Sequence, residues 1–323
     1  MKKISLIQLF ALILLFCYAC ETSPVKTDDA PTATQTNTGK KTQALLLTQP
    51  FEFDPSDKNK MTGDYIQQAK LEIPSNLATQ SKWIMFEGPV LENDVIGYRY
   101  YADSRHRFDI FGKTVPDLVL DTVSWKYHEI MNWGSDVLKV GNSLGLGSPA
   151  IWFEDSLHTL SKTDKKVLEI IENGNDKSTI RTTFTGLEIG GEKFDLVQDW
   201  SIQSGAAWSE IHLKVLNGKL PEGMFFATGI VKHLPTINVG QTTDYFYAMN
   251  WGVQSYHKEN MGMAILAKKE YQPEPIQDEL SHAYVFRQAN QEVRYRFMAA
   301  WEKDNNSVTD LKGFTSLVEK SGK

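Results

Sequence analysis

The chain has 323 residues, 41% of them hydrophobic and 11% aromatic, with a formal net charge of −6 and an isoelectric point near 5.7. A mildly acidic whole excludes a general nucleic-acid role, because phosphate binding needs a dense basic surface. The two cysteines, Cys17 and Cys20, both stand near the start, so the body has no disulfide, thiol nucleophile or cysteine-held metal.

Residues 1–20 read as a secretion signal. Lys2 and Lys3 supply its positive start, and the apolar run Ile4 to Phe16 is too short to span a bilayer comfortably. It ends Phe16-Cys17-Tyr18-Ala19-Cys20. A small residue directly before a cysteine, after an apolar run, resembles the bacterial lipobox. Cys20 is therefore the expected site of lipidation by a palmitate-type acyl group, and the expected location is the cell envelope, facing the periplasm or on the outer membrane. Residues 21–44 are rich in Thr, contain Pro24 and Pro31 and lack aromatics, the composition of a flexible tether. Residues 45–323 then read as a single domain large enough to bury its own core.

Most of that domain reads as strands. Phe194, Leu196, Trp200 and Ile202 mostly alternate with Asp195, Asp199 and Ser201, and Gly190-Gly191 joins this run to Thr182–Ile189 as a hairpin. Ile211, Leu213 and Val215 alternate again, with His212 between them facing solvent. Further strands are expected at 95–101, 166–171, 225–231, 244–249, 261–267, 283–286 and 292–300. The C-terminus alone repeats at helical spacing, through Val308, Leu311, Phe314, Leu317 and Val318 after the caps Asn306-Ser307. Many strands with glycine-rich turns and no internal break predict an all-β domain, a large antiparallel sandwich with a short C-terminal helix.

The stretch from Trp125 to Trp152 follows neither period. His128, Glu129, Asn132, Asp136, Lys139 and Asn142 stand among glycines and tryptophans there, and sequence rules fail most often at functional sites. Gly141-Asn142-Ser143-Leu144-Gly145 matches the nucleophile elbow, but Gly145, Gly147 and Pro149 occupy the place of the helix that motif requires. Serine chemistry is therefore not expected. Of seven histidines, His128 and His233 are the best site candidates, with His282 third; His158 and His257 read as surface connections and His106 as part of a basic tip. Arg99, Arg105, Arg107 and Lys113, with Asp103 and Asp109 between them, read by default as a solvated, self-neutralising face. The alternative is a carboxylate-binding patch, since arginine grips carboxylates through two parallel hydrogen bonds. No tight metal spacing is present, and neither metal nor cofactor is expected.

Several blocks together resemble a known family. They are Glu92-Asn93-Asp94, Tyr98-Arg99-Tyr100, Asp109-Ile110-Phe111-Gly112-Lys113, Tyr127-His128-Glu129, Trp133-Gly134, Asp136 to Gly145, and Thr228-Gly229-Ile230-Val231-Lys232-His233. They are similar to the domain of unknown function 4861 over roughly residues 80–302. The resemblance implies an exported protein of polysaccharide degradation, often of uronic-acid polymers, with a sandwich like that of galactose mutarotase.

Within that frame the expected reaction is β-elimination on a uronic-acid oligosaccharide, breaking a carbon–oxygen bond at C4. The expected product is an unsaturated uronic acid at the non-reducing end, with water as the favoured leaving group and a sugar as the alternative. The C5 proton is weakly acidic, so the substrate carboxylate must be neutralised as charge develops. Lys139, Asn142, Arg105 or Arg107 could serve. His128 is the expected base with Tyr127 beside it, and His233 or Lys232 the acid. Trp133 is a candidate sugar-stacking residue. The competing readings are a sugar epimerase or mutarotase, and a non-catalytic oligosaccharide-binding lipoprotein. The expected partners are an acidic oligosaccharide and, through the lipid anchor, a membrane.

Overall fold

The computed structural model describes residues 39–50, 63–74, 77 and 81–323. The expected signal, Cys20 and most of the tether lie outside the described residues. Thr42, Gln43 and Ala44, read above as tether, already belong to the first strand, Thr42–Leu45.

Two layers of antiparallel sheet build the domain. The larger sheet has nine strands, in the order Asn238–Gln241, Tyr245–Val253, Asn260–Lys268, Glu292–Trp301, Trp208–Leu216, Glu192–Gln203, Lys177–Ile189, Lys165–Asn173 and Lys70–Ile73. The opposing layer is split into two five-stranded sheets. The first runs Thr42–Leu45, Val90–Asn93, Ile96–Tyr100, Phe108–Lys113, Gly134–Asp136; the second runs Ser156–Thr159, Ala150–Phe153, Phe225–Val231, Ser281–Phe286, Pro273–Ile276. A short segment stitches them together: Gly145 bridges to Phe108 of the first sheet and Leu146 to Ile230 of the second. Only glycine fits at 145, where φ is +59° and a Cβ would stand 2.2 Å from the Phe108 carbonyl oxygen.

The hairpin at Gly190-Gly191 forms as expected. Both glycines take positive φ, 59° and 84°, the geometry whose twist matches a two-residue hairpin. Inward-facing residues of the two layers interlock as a core rich in aromatics. Phe108 meets Trp200 at 4.8 Å between ring centres, and Tyr98 meets Phe297 at 4.9 Å. The Tyr98 hydroxyl, fully buried, donates to Ala207 O and accepts from Ala299 N, so its polar tip is satisfied inside the sandwich.

The helix spans Leu311–Ser321, with Asp310 as its N-cap, the carboxylate accepting from Gly313 N at 2.7 Å. Asn306-Ser307 are therefore not the caps. The Asn306 side chain accepts from Val308 N and Ser307 takes a positive φ of 60°, which keeps the chain in a turn ahead of the helix. Phe314 and Val318 seat the helix on the outside of the larger sheet, where Gly262 leaves room for the Phe314 ring.

The outer face of the first sheet corrects one reading of the sequence. Alternation along Ile96–Tyr100 and Phe108–Lys113 turns Arg99, Asp109, Phe111 and Lys113 away from the inter-sheet core. Yet Arg99 and Lys113 are fully buried, because the segment 114–133 folds back over them. Lys113 pairs with Glu92 at 2.7 Å, and Glu92 also accepts from Val119 N and Leu120 N. That ion pair fastens the covering segment to the sheet. The Arg99, Asp109 and Lys113 part of the supposed solvated face is thus interior, whereas Arg105 and Arg107 stay half-buried. His106 is likewise no surface tip: it is fully buried, bonded through Nδ1 to the Tyr100 hydroxyl, and burial holds its pKa well below the ordinary range. His212 is half-buried, with Nε2 at 3.0 Å from Glu292.

Candidate functional site

A cleft of about 220 Å³ opens beside the first sheet, lined by Tyr101, Arg105, His128, Asp136, Lys139 and Tyr256 among others. Its floor is a buried charged cluster set by strand register. Arg99 lies directly across from Asp109, and Asp136 across from Phe111. All three side chains therefore project to the same face. Arg99 Nη2 reaches both carboxylates, Asp136 at 2.8 Å and Asp109 closer still, and donates to the Tyr101 hydroxyl at 2.7 Å. Its Nη1 donates to the Tyr127 hydroxyl at 2.9 Å. Burial opposes the Arg99 charge, but Tyr101, Asp109, Asp136 and Tyr127 outweigh it and hold its pKa well above the ordinary value. Burial, then the adjacent Asp136 charge, pushes Asp109 up to about 6.

His128 connects this floor to solvent. Its Nδ1 sits 3.1 Å from Asp136 Oδ2; the imidazole is 53% exposed and the carboxylate 3%. The hydrogen bond to Asp136 raises the His128 pKa above its usual 6.5, against a smaller opposing effect of burial. A carboxylate behind Nδ1 fixes the tautomer that leaves Nε2 as a base, and orients the ring. Among the described residues no hydrogen bond is recorded for Nε2. The Tyr256 ring stands 6.0 Å from the His128 ring. Tyr256 is held there by its backbone N–H on Val137 O at 2.7 Å, and the next residue, His257, bonds Ser135 Oγ at 2.8 Å.

The structure brings together His128, Lys139 and Arg105 from the sequence candidates. Arg105 arrives already paired: it grips Asp103 through two nitrogens, meets Glu87, and lies 3.7 Å over the Tyr101 ring. Arg107 stands just outside, its Nη1 donating to Gly141 O at 2.6 Å and so holding the turn at the rim. Asn142 is exposed at the tip of that turn. Tyr127 is buried beneath His128, where desolvation raises its hydroxyl to about 12. Trp133, the last residue of the covering segment, packs on Phe111 at 6.2 Å, apart from the cleft lining. His233 is exposed, donates from Nε2 to Lys139 O at 2.7 Å and is not part of the cleft lining, and Lys232 faces a different cleft. Ser143 is buried, its Oγ donating to Val140 O and accepting from Gly145 N, with no helix after it.

Tyr101 and Tyr256 were missed by the sequence. Tyr256 lies in a turn, and the partner that brings it to His128 is Val137, far away in the chain. Among the described residues no group of His, Cys, Asp and Glu is placed to hold a metal ion.

The fold and the site define a two-layer antiparallel β-sandwich whose split layer carries an exposed histidine backed by a buried aspartate. The chain belongs to the family described as Domain of unknown function (DUF4861), whose model matches residues 21–323. No curated protein matches it. Among solved structures it is similar to a candidate aldose 1-epimerase from Klebsiella pneumoniae subsp. pneumoniae, with 7% identity and a TM-score of 0.34, over 87% of this chain and 95% of that one.

Proposed function

We propose that the protein is a carbon–oxygen lyase that performs β-elimination at the terminal uronic acid of an oligosaccharide, held at the cell envelope through Cys20. The observation that carries this reading is the His128–Asp136 pair: an imidazole half in solvent, fixed through Nδ1 on a buried carboxylate, in a cleft that also holds Lys139 and two tyrosines.

Each demand of the reaction has a group to meet it. His128 Nε2 takes the C5 proton. The electron pair left on C5 is stabilised into the carboxylate, whose charge the Lys139 ammonium neutralises. That pair then forms the C4–C5 double bond as the C4–O bond breaks, and the Tyr256 hydroxyl gives the departing oxygen its proton. Solvent at the open mouth restores Tyr256 and removes the proton from His128. Arg99 and Asp109 do not touch substrate; Arg99 holds Asp136 in place through its Nη2, and Asp109 anchors Arg99. A cleft of about 220 Å³ lies below the roughly 300–1,000 Å³ usual for ligand pockets. Such a space suits a single terminal sugar better than the middle of a polymer, which favours water as the leaving group.

The test is incubation with a panel of uronic-acid oligosaccharides, read by mass and near-ultraviolet absorbance. Elimination gives a conjugated product and, with water leaving, a mass lower by one water. His128→Ala should slow this by about two orders of magnitude or more. Substrates returned with altered stereochemistry and unchanged mass would mark an epimerase instead, and binding without any chemical change would mark a carrier.

A further inference from the structure

The outer side of the second sheet carries a larger cleft, of about 650 Å³, lined by Trp152, Asp155, Leu157, Lys232, Asp278 and Glu279 among others. Trp152 and Leu157 are direct partners across the hairpin Ala150–Phe153 and Ser156–Thr159, so both project to the same face. Trp152 is half-buried, packed at its base and open on the cleft side. The tip of this hairpin is Glu154-Asp155, and both residues take positive φ, 48° and 55°. Asn-Gly would relax that turn; glutamate there is strained, and retained strain often marks a functional site. It sets Asp155 on the rim. Asp278 is equally fixed, its Oδ2 accepting from Leu280 N and Ser281 N.

The chemistry of this cleft is opposite to that of the first. Three carboxylates stand against the single ammonium of Lys232, whereas in the first cleft Lys139 and His128 stand with one carboxylate, Asp136, and an Arg105 already paired to Asp103 and Glu87. An anionic sugar is disfavoured here; a neutral one is not. A tryptophan face stacks on the C–H face of a sugar ring, and fixed carboxylates accept from its hydroxyls. The two clefts are neighbours on one side of the split layer. Lys232 lines the second, and the next residue, His233, bonds the backbone of Lys139, which lines the first.

We propose that the Trp152 cleft is a subsite for a neutral sugar, so that the preferred ligand alternates acidic and neutral units. The proposal rests on the first cleft taking the uronic acid, as read above. It implies a protein matched to mixed polymers and poorly matched to uniformly acidic ones.

The test is isothermal titration, which reads binding whether or not turnover occurs. The probes are tetrasaccharides that alternate uronic acid with neutral sugar, unsulfated hyaluronan and chondroitin fragments among them, against all-acidic oligogalacturonates and oligoglucuronates. The parent should prefer the alternating probes. Trp152→Ala should weaken those by about tenfold, the loss of one good anchor, and leave the all-acidic probes unchanged. Trp152→Phe, which keeps a ring and the packing beneath it, should restore much of the loss. Glu279→Lys combined with Asp155→Lys, both on the exposed rim, should shift preference toward the all-acidic probes. Equal binding of both classes by parent and Trp152→Ala overturns the subsite even if elimination proceeds. Trp152-dependent binding without any elimination product would instead uphold the subsite and sink the lyase reading.

Discussion

Asp136→Asn is the most searching perturbation, because one side chain serves both the buried cluster and the exposed histidine. Asp136 Oδ2 lies 2.8 Å from Arg99 Nη2 and 3.1 Å from His128 Nδ1. The amide keeps the shape and removes the charge. Arg99 still has Asp109 and two tyrosine hydroxyls, so the fold loses a charge-assisted bond worth about 1.5–3 kcal/mol. It is spared the roughly 3–5 kcal/mol that follows when a buried ion loses its only partner. At about 2–4 °C per kcal/mol for a large domain, melting should fall by only several degrees. Catalysis should suffer far more. An asparagine amide turned toward Nδ1 donates to it and forces the proton onto Nε2, removing the base from the cleft. The expected loss in kcat is about 10²–10⁴-fold. The pH profile carries the second readout. The base form of His128 accumulates as pH rises through a pKa that Asp136 holds above 6.5. In Asp136→Asn that support is gone while the Arg99 charge stays, so the acidic limb of the residual rate should move to lower pH. The same shift gives the sign for stability: a histidine with a raised folded pKa stabilises below its unfolded pKa, and that stability is lost as pH rises through the folded one. The assay is product absorbance across pH with a melting curve for each sample. A variant with parental rate and an unmoved acidic limb would refute the role of the His128–Asp136 pair.

Other substitutions separate the remaining groups. Ser143→Ala should leave turnover within a few-fold of the parent, since Ser143 Oγ is spent on Val140 O and Gly145 N; loss of the rate with an intact melting curve would reinstate serine chemistry. Lys139→Ala should lower kcat more than it raises KM if the ammonium acts on charge that develops during elimination, and a change in KM alone would reduce it to a ground-state grip. Glu92→Ala strands the buried Lys113 charge and frees the Val119 and Leu120 amides, so it should cost about 3–5 kcal/mol and expose the 114–133 segment to proteolysis; an unchanged melting point would deny the fastening role. Cys20→Ala should shift the protein from the detergent phase to the aqueous phase, and unchanged partitioning would remove Cys20 as the anchor.

The strands were legible in the sequence because their faces see different surroundings. Phe194, Leu196, Trp200 and Ile202 meet the core while Asp195, Val197 and Asp199 between them are half-exposed, so period two is written into the chain. The first sheet was harder to read, because Ile96–Tyr100 and Phe108–Lys113 are buried on both faces. Charge there reads as exposure, which is why Arg99, Lys113 and His106 were expected at the surface. Their burial depends on partners elsewhere in the fold: Asp136 for Arg99, Glu92 for Lys113, and Phe184 of the opposite layer for His106. His128 and Lys139 were found through the broken pattern around them. Tyr256 was not, because the segment that presents it looks like any polar turn until Val137 takes its backbone hydrogen bond.

The first sheet carries two buried ion groups on the same outer face, and their difference separates scaffold from site. Lys113 and Glu92 are both fully buried, and the carboxylate is filled by backbone donors and Gln43. The Glu92 carboxylate is fully engaged, and neither side chain of the pair is exposed to solvent. Arg99, Asp109 and Asp136 are as deeply buried, but their hydrogen bonds continue outward, from Asp136 to a histidine that is half in water. A closed ion pair of equal burial could be replaced by apolar side chains of similar volume with little loss of stability. The open one could not be replaced without changing what His128 presents to the cleft. Buried charge is costly to keep in a sheet that hydrophobic residues could fill. In the Arg99 cluster the buried charges place a carboxylate behind an exposed imidazole. On the reading proposed above, that imidazole is the group that takes the C5 proton.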